Sequence, residues 1–223
     1  MSNGRTAILD RLRAARPAPL PVLPDWSVTI PPAERLNRFC ERLEASHAEV
    51  VTSTSGHWPA LLAERLKARG NTQGSADGIS SILYAPGTHH GRLLADAWAD
   101  KSELRLVAYD QPVEVLKDTL VHRVDAAVTA TRGGIAETGT LILWPSAEEP
   151  RLMSLLPPLH VALVEAKQIY GTLTEAMTLQ NWSAGLPTNA LLISGPSKTA
   201  DIEQTLAYGV HGPKELLVIV LDP

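Results

Sequence analysis

An α/β fold, with a mostly parallel sheet flanked by helices and preceded by a helix, a proline-rich linker and a second helix, is the architecture this sequence predicts. Three observations point to it. From about residue 48 onward, short β-rich runs alternate with amphipathic segments of helical period. The run Leu-Leu-Val-Ile-Val-Leu at 216–221 is apolar at every position, as in a strand covered on both faces. With 44% hydrophobic and 20% charged residues over 223 positions, the chain is long and apolar enough to bury a core.

Over 6–16, Ile8, Leu9, Leu12 and Ala15 follow a helical period with Arg and Asp between them. Prolines 17, 19, 21, 24, 31 and 32 then remove backbone donors and restrain their neighbours, which makes 17–32 an extended linker. Leu36, Phe39, Cys40 and Leu43 mark one face of a second helix ending near Ser46. Strands are expected over 49–53, 79–84, 104–109, 126–130, 141–144, 160–164, 191–194 and 216–221, and helices over 59–69, 91–99, 167–179 and 199–208. The division that follows is an N-terminal segment of helices and linker, 1–45, and an α/β domain, 46–223.

Composition excludes several function classes. A net charge of −4, 4% aromatics and scattered tryptophans give neither the basic stripe nor the stacking platform of a nucleic-acid-binding protein. The longest aliphatic run is far shorter than the roughly 20 residues that cross a bilayer, so no membrane span is expected. The first residues lack a signal-like apolar stretch, and the expected location is cytoplasmic. Cys40 is the only cysteine, which leaves no internal disulfide and no Cys-x-x-Cys zinc or iron–sulfur site. Any redox centre that serves this chain must lie elsewhere.

Chemistry in an open parallel sheet gathers in the loops after strands, so three loops stand out. Residues 131–140 read Thr-Arg-Gly-Gly-Ile-Ala-Glu-Thr-Gly-Thr. Adjacent Gly133 and Gly134 allow backbone amides to converge on an anion, with Arg132, Thr138, Gly139 and Thr140 around them, and Glu137 is the one carboxylate available as base or nucleophile. The alternative is a hairpin or crossover turn with Glu137 solvated or capping. Residues 194–203 start Ser194-Gly195-Pro196-Ser197-Lys198-Thr199 and read as a turn entering a helix, a place for phosphate or carboxylate. They are not a Walker A loop, and a capped helix with solvated acids explains them equally. His211 sits in the third loop, Gly-Val-His-Gly-Pro at 209–213, where a turn or packing histidine is the alternative reading. His89 and His90 diverge as neighbours and no His-Glu-x-x-His pair occurs, so no metal site is expected; His160 reads as a turn or packing histidine. If the loops form one site, Glu137, Ser197, Lys198 and Thr199 should face one crevice at the carboxyl edge of the sheet.

Glu-Thr-Gly-Thr at 137–140, Ser-Leu-Leu-Pro and the following His at 154–160, Ser-Gly-Pro-Ser-Lys-Thr-Ala-Asp-Ile-Glu at 194–203 and Gly-Val-His-Gly-Pro at 209–213 resemble, in order and spacing, the LUD domain of the lactate-utilisation protein C family. The resemblance covers about 45–223. It implies a fold like that of the ribose-phosphate isomerase and CoA-transferase group, and a part in a three-protein system that oxidises L-lactate to pyruvate. It also implies iron–sulfur proteins as partners, a small-molecule anion as ligand, and no cofactor in this chain itself. Against ribose-5-phosphate isomerases, Val124 precedes Asp125 where Gly or Ala would stand, Arg132 replaces Lys, and Thr138 follows Glu137 in place of Lys. The leading expectation is therefore a cluster-free component of lactate oxidation that binds a small carboxylate or partner proteins. The alternative is a self-sufficient isomerase- or CoA-transferase-like enzyme using Glu137.

Overall fold

The structure, a computed structural model, describes residues 3–15, 28–72, 79–100, 104–200, 206–209 and 211–222. In chain order it contains α1 (Asn3–Ala14), α2 (Pro32–Ala45), β1 (Glu49–Thr54), α3 (Trp58–Thr72), β2 (Ser81–Tyr84), α4 (His89–Trp98), β3 (Arg105–Ala108) and α5 (Val113–His122). It continues with β4 (Ala126–Ala130), β5 (Gly133–Ile135), β6 (Thr140–Leu143), β7 (Leu159–Glu165), β8 (Ile169–Tyr170), α6 (Leu173–Leu179), β9 (Leu191–Ile193), β10 (Lys198–Ala200), β11 (Leu206–Tyr208) and β12 (Glu215–Asp222). All eight expected strands form. The linker residues 16–27 lie outside the described residues.

Six strands make a sheet in the order β1-β12-β7-β4-β2-β3, every neighbouring pair parallel. Its central strands β7 and β12 are apolar on both faces because each face carries its own core. Val161, Leu163, Leu217 and Ile219 face Trp58, Leu62 and Leu66 of α3 and Leu94 and Trp98 of α4. Ala162, Val164, Val218 and Val220 face the opposite way, onto Phe39 and Leu43 of α2 and Leu141 and Leu143 of β6. On that second face Leu83 and Ala127 also meet Leu116 and Leu120 of α5. Asp125 joins the starts of β2 and β4: its Oδ2 accepts from the Ser80 and Ser81 N–H groups at 2.9 and 2.8 Å and from Ser81 Oγ at 2.7 Å. Burial pushes this carboxyl up, but the Ser81 and Ser80 hydrogen bonds outweigh it and hold the pKa below the usual aspartate value.

A second sheet, β8-β5-β6-β9, lies against the α2 face; β5 and β6 form an antiparallel hairpin, β8 runs parallel to β5 and β9 antiparallel to β6. Helix α2 belongs to this packing. Phe39 and Leu43 are fully buried, and a Cβ on Gly134 would stand 2.5 Å from Phe39 Cε2. The division expected between residues 45 and 46 thus runs between α2 and the core it packs into. Proline at the first turn, Glu34 there and Arg42 in the last turn suit the helix and its dipole.

Three local expectations are corrected. No helix spans 199–208; its two ends are β10 and β11, paired antiparallel with Lys198 opposite Tyr208, and 201–205 lie outside the described residues. The Gly209 N–H donates to the Ser197 carbonyl and the Ser197 N–H to the Pro213 carbonyl, which holds together ends that a ten-residue helix would separate by about 15 Å. The helix expected over 167–179 is only α6: a 3-10 turn over Ala166–Gln168 and β8 come first, and Thr172 Oγ1 caps α6 by accepting from the Glu175 N–H. Helix α5, absent from the expected set, buries Leu116 and Leu120 at an i, i+4 spacing although Val113, Val115 and Val121 are weak helix formers. No helix among the described residues is long and apolar enough to cross a membrane.

Candidate functional site

Strands β7 and β12 start side by side, His160 opposite Leu216, and a cleft of about 220 Å³ opens there. Four stretches line it: Ser154 and Leu155 ahead of β7, His160 within β7, Leu192 to Ser197 at the end of β9 and beyond, and His211 to Pro213 leading to Leu216 of β12. Because all six strands are parallel, this is the amino end of the sheet, not the carboxyl edge where the crevice is expected. The reason is topological. The loops at 131–140 and 194–197 belong to the second sheet, whose strands β6 and β9 do not follow the polarity of the first.

Hydroxyl groups join the loops. Thr138 Oγ1 lies 2.7 Å from Thr140 Oγ1, and Thr140 Oγ1 lies 2.7 Å from Ser194 Oγ, so the end of the 131–140 loop is tied to the wall of the cleft. Ser194, Gly195, Ser197 and His211 line the cleft themselves. Gly195 is required by its neighbour, since a Cβ there would stand 2.8 Å from the Ser46 carbonyl oxygen at the end of α2. The Ser197 N–H donates to the Pro213 carbonyl, so this amide is already used within the chain.

Of the other sequence-chosen residues, none whose side chain is described lines the cleft. Gly133 and Gly134 are buried in β5, where Cβ atoms would strike the Gln168 carbonyl oxygen and the Phe39 ring, so they serve close packing in the hairpin and form no open anion cradle. Gly139 has φ +62° and brings the loop onto Arg42 of α2. Glu137 is half-buried past the end of β5; its N–H donates to the Gly171 carbonyl at 3.0 Å, and it is not among the cleft's lining residues. Arg132 is exposed with its guanidinium 4.6 Å from the centre of the Trp144 ring, and its carbonyl accepts from Gln180 Nε2 at 2.7 Å. Lys198 is exposed at the start of β10 and does not line the cleft. The side chain of Thr199 lies outside the described residues.

Three groups not chosen from the sequence lie at the cleft or next to it. His160, 1% exposed, places Nε2 2.9 Å from Thr129 Oγ1 on β4, and Thr129 Oγ1 is 3.5 Å from Ser154 Oγ. Its other nitrogen, Nδ1, is buried and has no hydrogen-bond partner among the described residues. Burial pushes the His160 pKa down to about 4, so the ring is neutral at pH 7. The alternation of β7 carried the signal: His160 falls on the face of Ala162 and Val164, next to the hydroxyl of Thr129 on the neighbouring strand.

A second polar cluster sits at the carboxyl ends of β2 and β4. His90 Nε2 is 2.7 Å from Glu149 Oε1 and 3.2 Å from Thr88 Oγ1, and Glu149 Oε1 also accepts from the Ala130 N–H at 3.2 Å. No three His, Cys, Asp or Glu side chains among the described residues gather into a metal-binding group.

Comparison with known proteins places the chain in a family. Residues 36–221 match the family model described as the LUD domain. An uncharacterized protein of Neisseria meningitidis serogroup B is 36% identical over 191 residues, covering 85% of this chain and 78% of that protein. Lactate utilization protein C of Deinococcus radiodurans is 30% identical over 217 residues, covering 97% of this chain and 92% of that one, and lactate utilization protein C 1 of Bacillus mycoides is 30% identical over 215 residues, 89% and 85%. A crystal structure of a DUF162 family protein from Deinococcus radiodurans shares the fold, with a TM-score of 0.56 and 24% identity over 87% of this chain and 100% of that one. With its family-model match running from within α2 to within β12, the chain belongs to the LUD-domain family.

Proposed function

We propose that this chain is a cluster-free cytoplasmic component of a lactate-utilisation system and that it holds a small carboxylate in the cleft at the start of β7 and β12. The observation that carries the reading is convergence: segments around Ser154–His160, Ser194–Ser197 and His211–Pro213, far apart in sequence, line one cleft, and Thr140 ties the fourth motif to it through Ser194. At about 220 Å³ the cleft is below the roughly 300–1,000 Å³ of drug-sized pockets and suits an acid of a few carbon atoms. Hydroxyls and imidazoles face the apolar walls of Leu155, Leu192, Pro196, Pro213 and Leu216, a setting for a molecule with a polar and a methyl end. The names of the relatives from Deinococcus and Bacillus support the lactate system.

Electron transfer belongs, in this reading, to iron–sulfur partner proteins. Cys40 is half-buried on α2, and burial, with Glu44 second, pushes its thiol pKa up, which disfavours the thiolate that metal binding needs. A self-sufficient isomerase or CoA-transferase acting through Glu137 has less support, because Glu137 does not line the cleft. Deleting the gene and complementing with the wild type or Ser194→Ala/Ser197→Ala tests the proposal. Growth on L-lactate should be lost on deletion, restored by the wild type and impaired with the double variant. Undiminished growth of the deletion strain contradicts it.

A further inference from the structure

We infer that His160 is the group that reads the oxygen on the second carbon of the acid held in this cleft, and that it accepts the 2-hydroxy and the 2-oxo form alike. The inference rests on the cleft being the carboxylate site. A buried ring nitrogen without a partner is costly to leave so, and His160 Nδ1 is such an atom in a residue that lines an open cleft. A ligand oxygen that meets Nδ1 removes that cost.

The groups behind the ring explain why either form fits. A neutral imidazole carries one donor and one acceptor nitrogen, and a hydroxyl both gives and receives. In one arrangement Ser154 donates to Thr129, Thr129 donates to Nε2, and Nδ1–H donates to the carbonyl oxygen of a 2-oxo acid. In the reverse arrangement the hydroxyl of a 2-hydroxy acid donates to Nδ1, Nε2–H donates to Thr129 Oγ1, and Thr129 donates to Ser154. Both arrangements place one hydrogen in each bond. A charged ring would donate from both nitrogens and lose the second arrangement, and burial keeps His160 neutral at pH 7. An acid of the same length with no oxygen on the second carbon offers Nδ1 nothing.

Calorimetric titration of the full chain with L-lactate, pyruvate and propionate, paired with NMR of the histidine ring nitrogens, tests this. L-Lactate and pyruvate should bind within about tenfold of each other and shift the His160 ring resonances, while propionate binds weaker by on the order of tenfold. His160→Phe should bring the three acids to similar affinity. Thr129→Val, which leaves the imidazole in place, should change the ratio of lactate to pyruvate affinity. Equal binding of all three acids to the wild type, or binding with the His160 resonances unmoved, overturns the role of His160 and leaves the cleft as a carboxylate site. Absence of binding by every acid overturns both.

Discussion

The two histidine clusters on this fold, His160 at the amino end of the parallel sheet and His90 at the carboxyl end, contain similar groups in opposite conditions. His90 is paired with Glu149 and Thr88, and the Glu149 oxygen that it meets is also occupied by the Ala130 N–H. A pocket of about 10 Å³, room for one water at most, lies between the two clusters, lined by Ala130 and Glu149 of the first and by Thr129 and Ser154 of the second. His160 is more deeply buried, yet one of its nitrogens has no partner among the described residues and the cleft that the residue lines is about 220 Å³. The first cluster is a closed clamp between β2, β4 and the segment before β7. Unfilled hydrogen-bonding capacity next to open volume favours the second cluster over the first as the proposed site, against the general tendency of α/β sheets to bind at their carboxyl ends.

The largest expected effect separates the clusters by pH. His160 titrates near 6.5 unfolded and about 4 folded, so between those values the unfolded chain binds the extra proton. The stability associated with its neutral ring is complete above pH 6.5 and is lost as pH falls toward 4, by about 3 kcal/mol. Urea unfolding across that range should show the loss in the wild type and a flatter profile in His160→Phe. Next in size, Glu149→Ala leaves the Ala130 N–H and His90 without their shared acceptor and should cost about 1–3 kcal/mol in chemical denaturation while binding of L-lactate is unchanged. A change in affinity would mean that the two clusters act as one site.

Ser194→Ala should do the reverse. It removes the link from Thr140 into the cleft wall, so a loss of roughly tenfold in affinity should accompany a stability change of only about 1 kcal/mol. Smallest of all, Glu137→Gln should leave both affinity and melting temperature near those of the wild type, because Glu137 does not line the cleft and is not among the partners of His90 and Glu149. A large loss of function in this variant would restore the reading in which Glu137 performs chemistry.

The sheet was legible in the sequence because parallel strands buried on both faces leave an apolar run, as in β7 and β12, and because α2 and α4 carry clear helical stripes. What stayed hidden depends on partners distant along the chain. The 199–208 segment has helix-like caps and period, yet the clamp of Ser197 to Pro213 and Gly209 decides for a strand pair. Strands β5 and β8 are three and two residues long and exist only through their pairing. The lining of the cleft was half legible: Ser194, Gly195, Ser197 and His211 stand in motifs visible in the sequence, whereas His160 is one histidine in an apolar strand until Thr129 and Ser154 are placed around it.

The central claim is that a small carboxylate binds at the amino end of β7 and β12. The most direct measurement is NMR shift mapping on the full chain titrated with L-lactate, with backbone amides and histidine ring nitrogens observed together. The account predicts saturable shifts at Ser194, Gly195, Gly212 and the His160 ring, with His90, Ala130 and Glu149 unmoved. Saturable shifts at His90, Ala130 and Glu149, with the cleft residues silent, would contradict it.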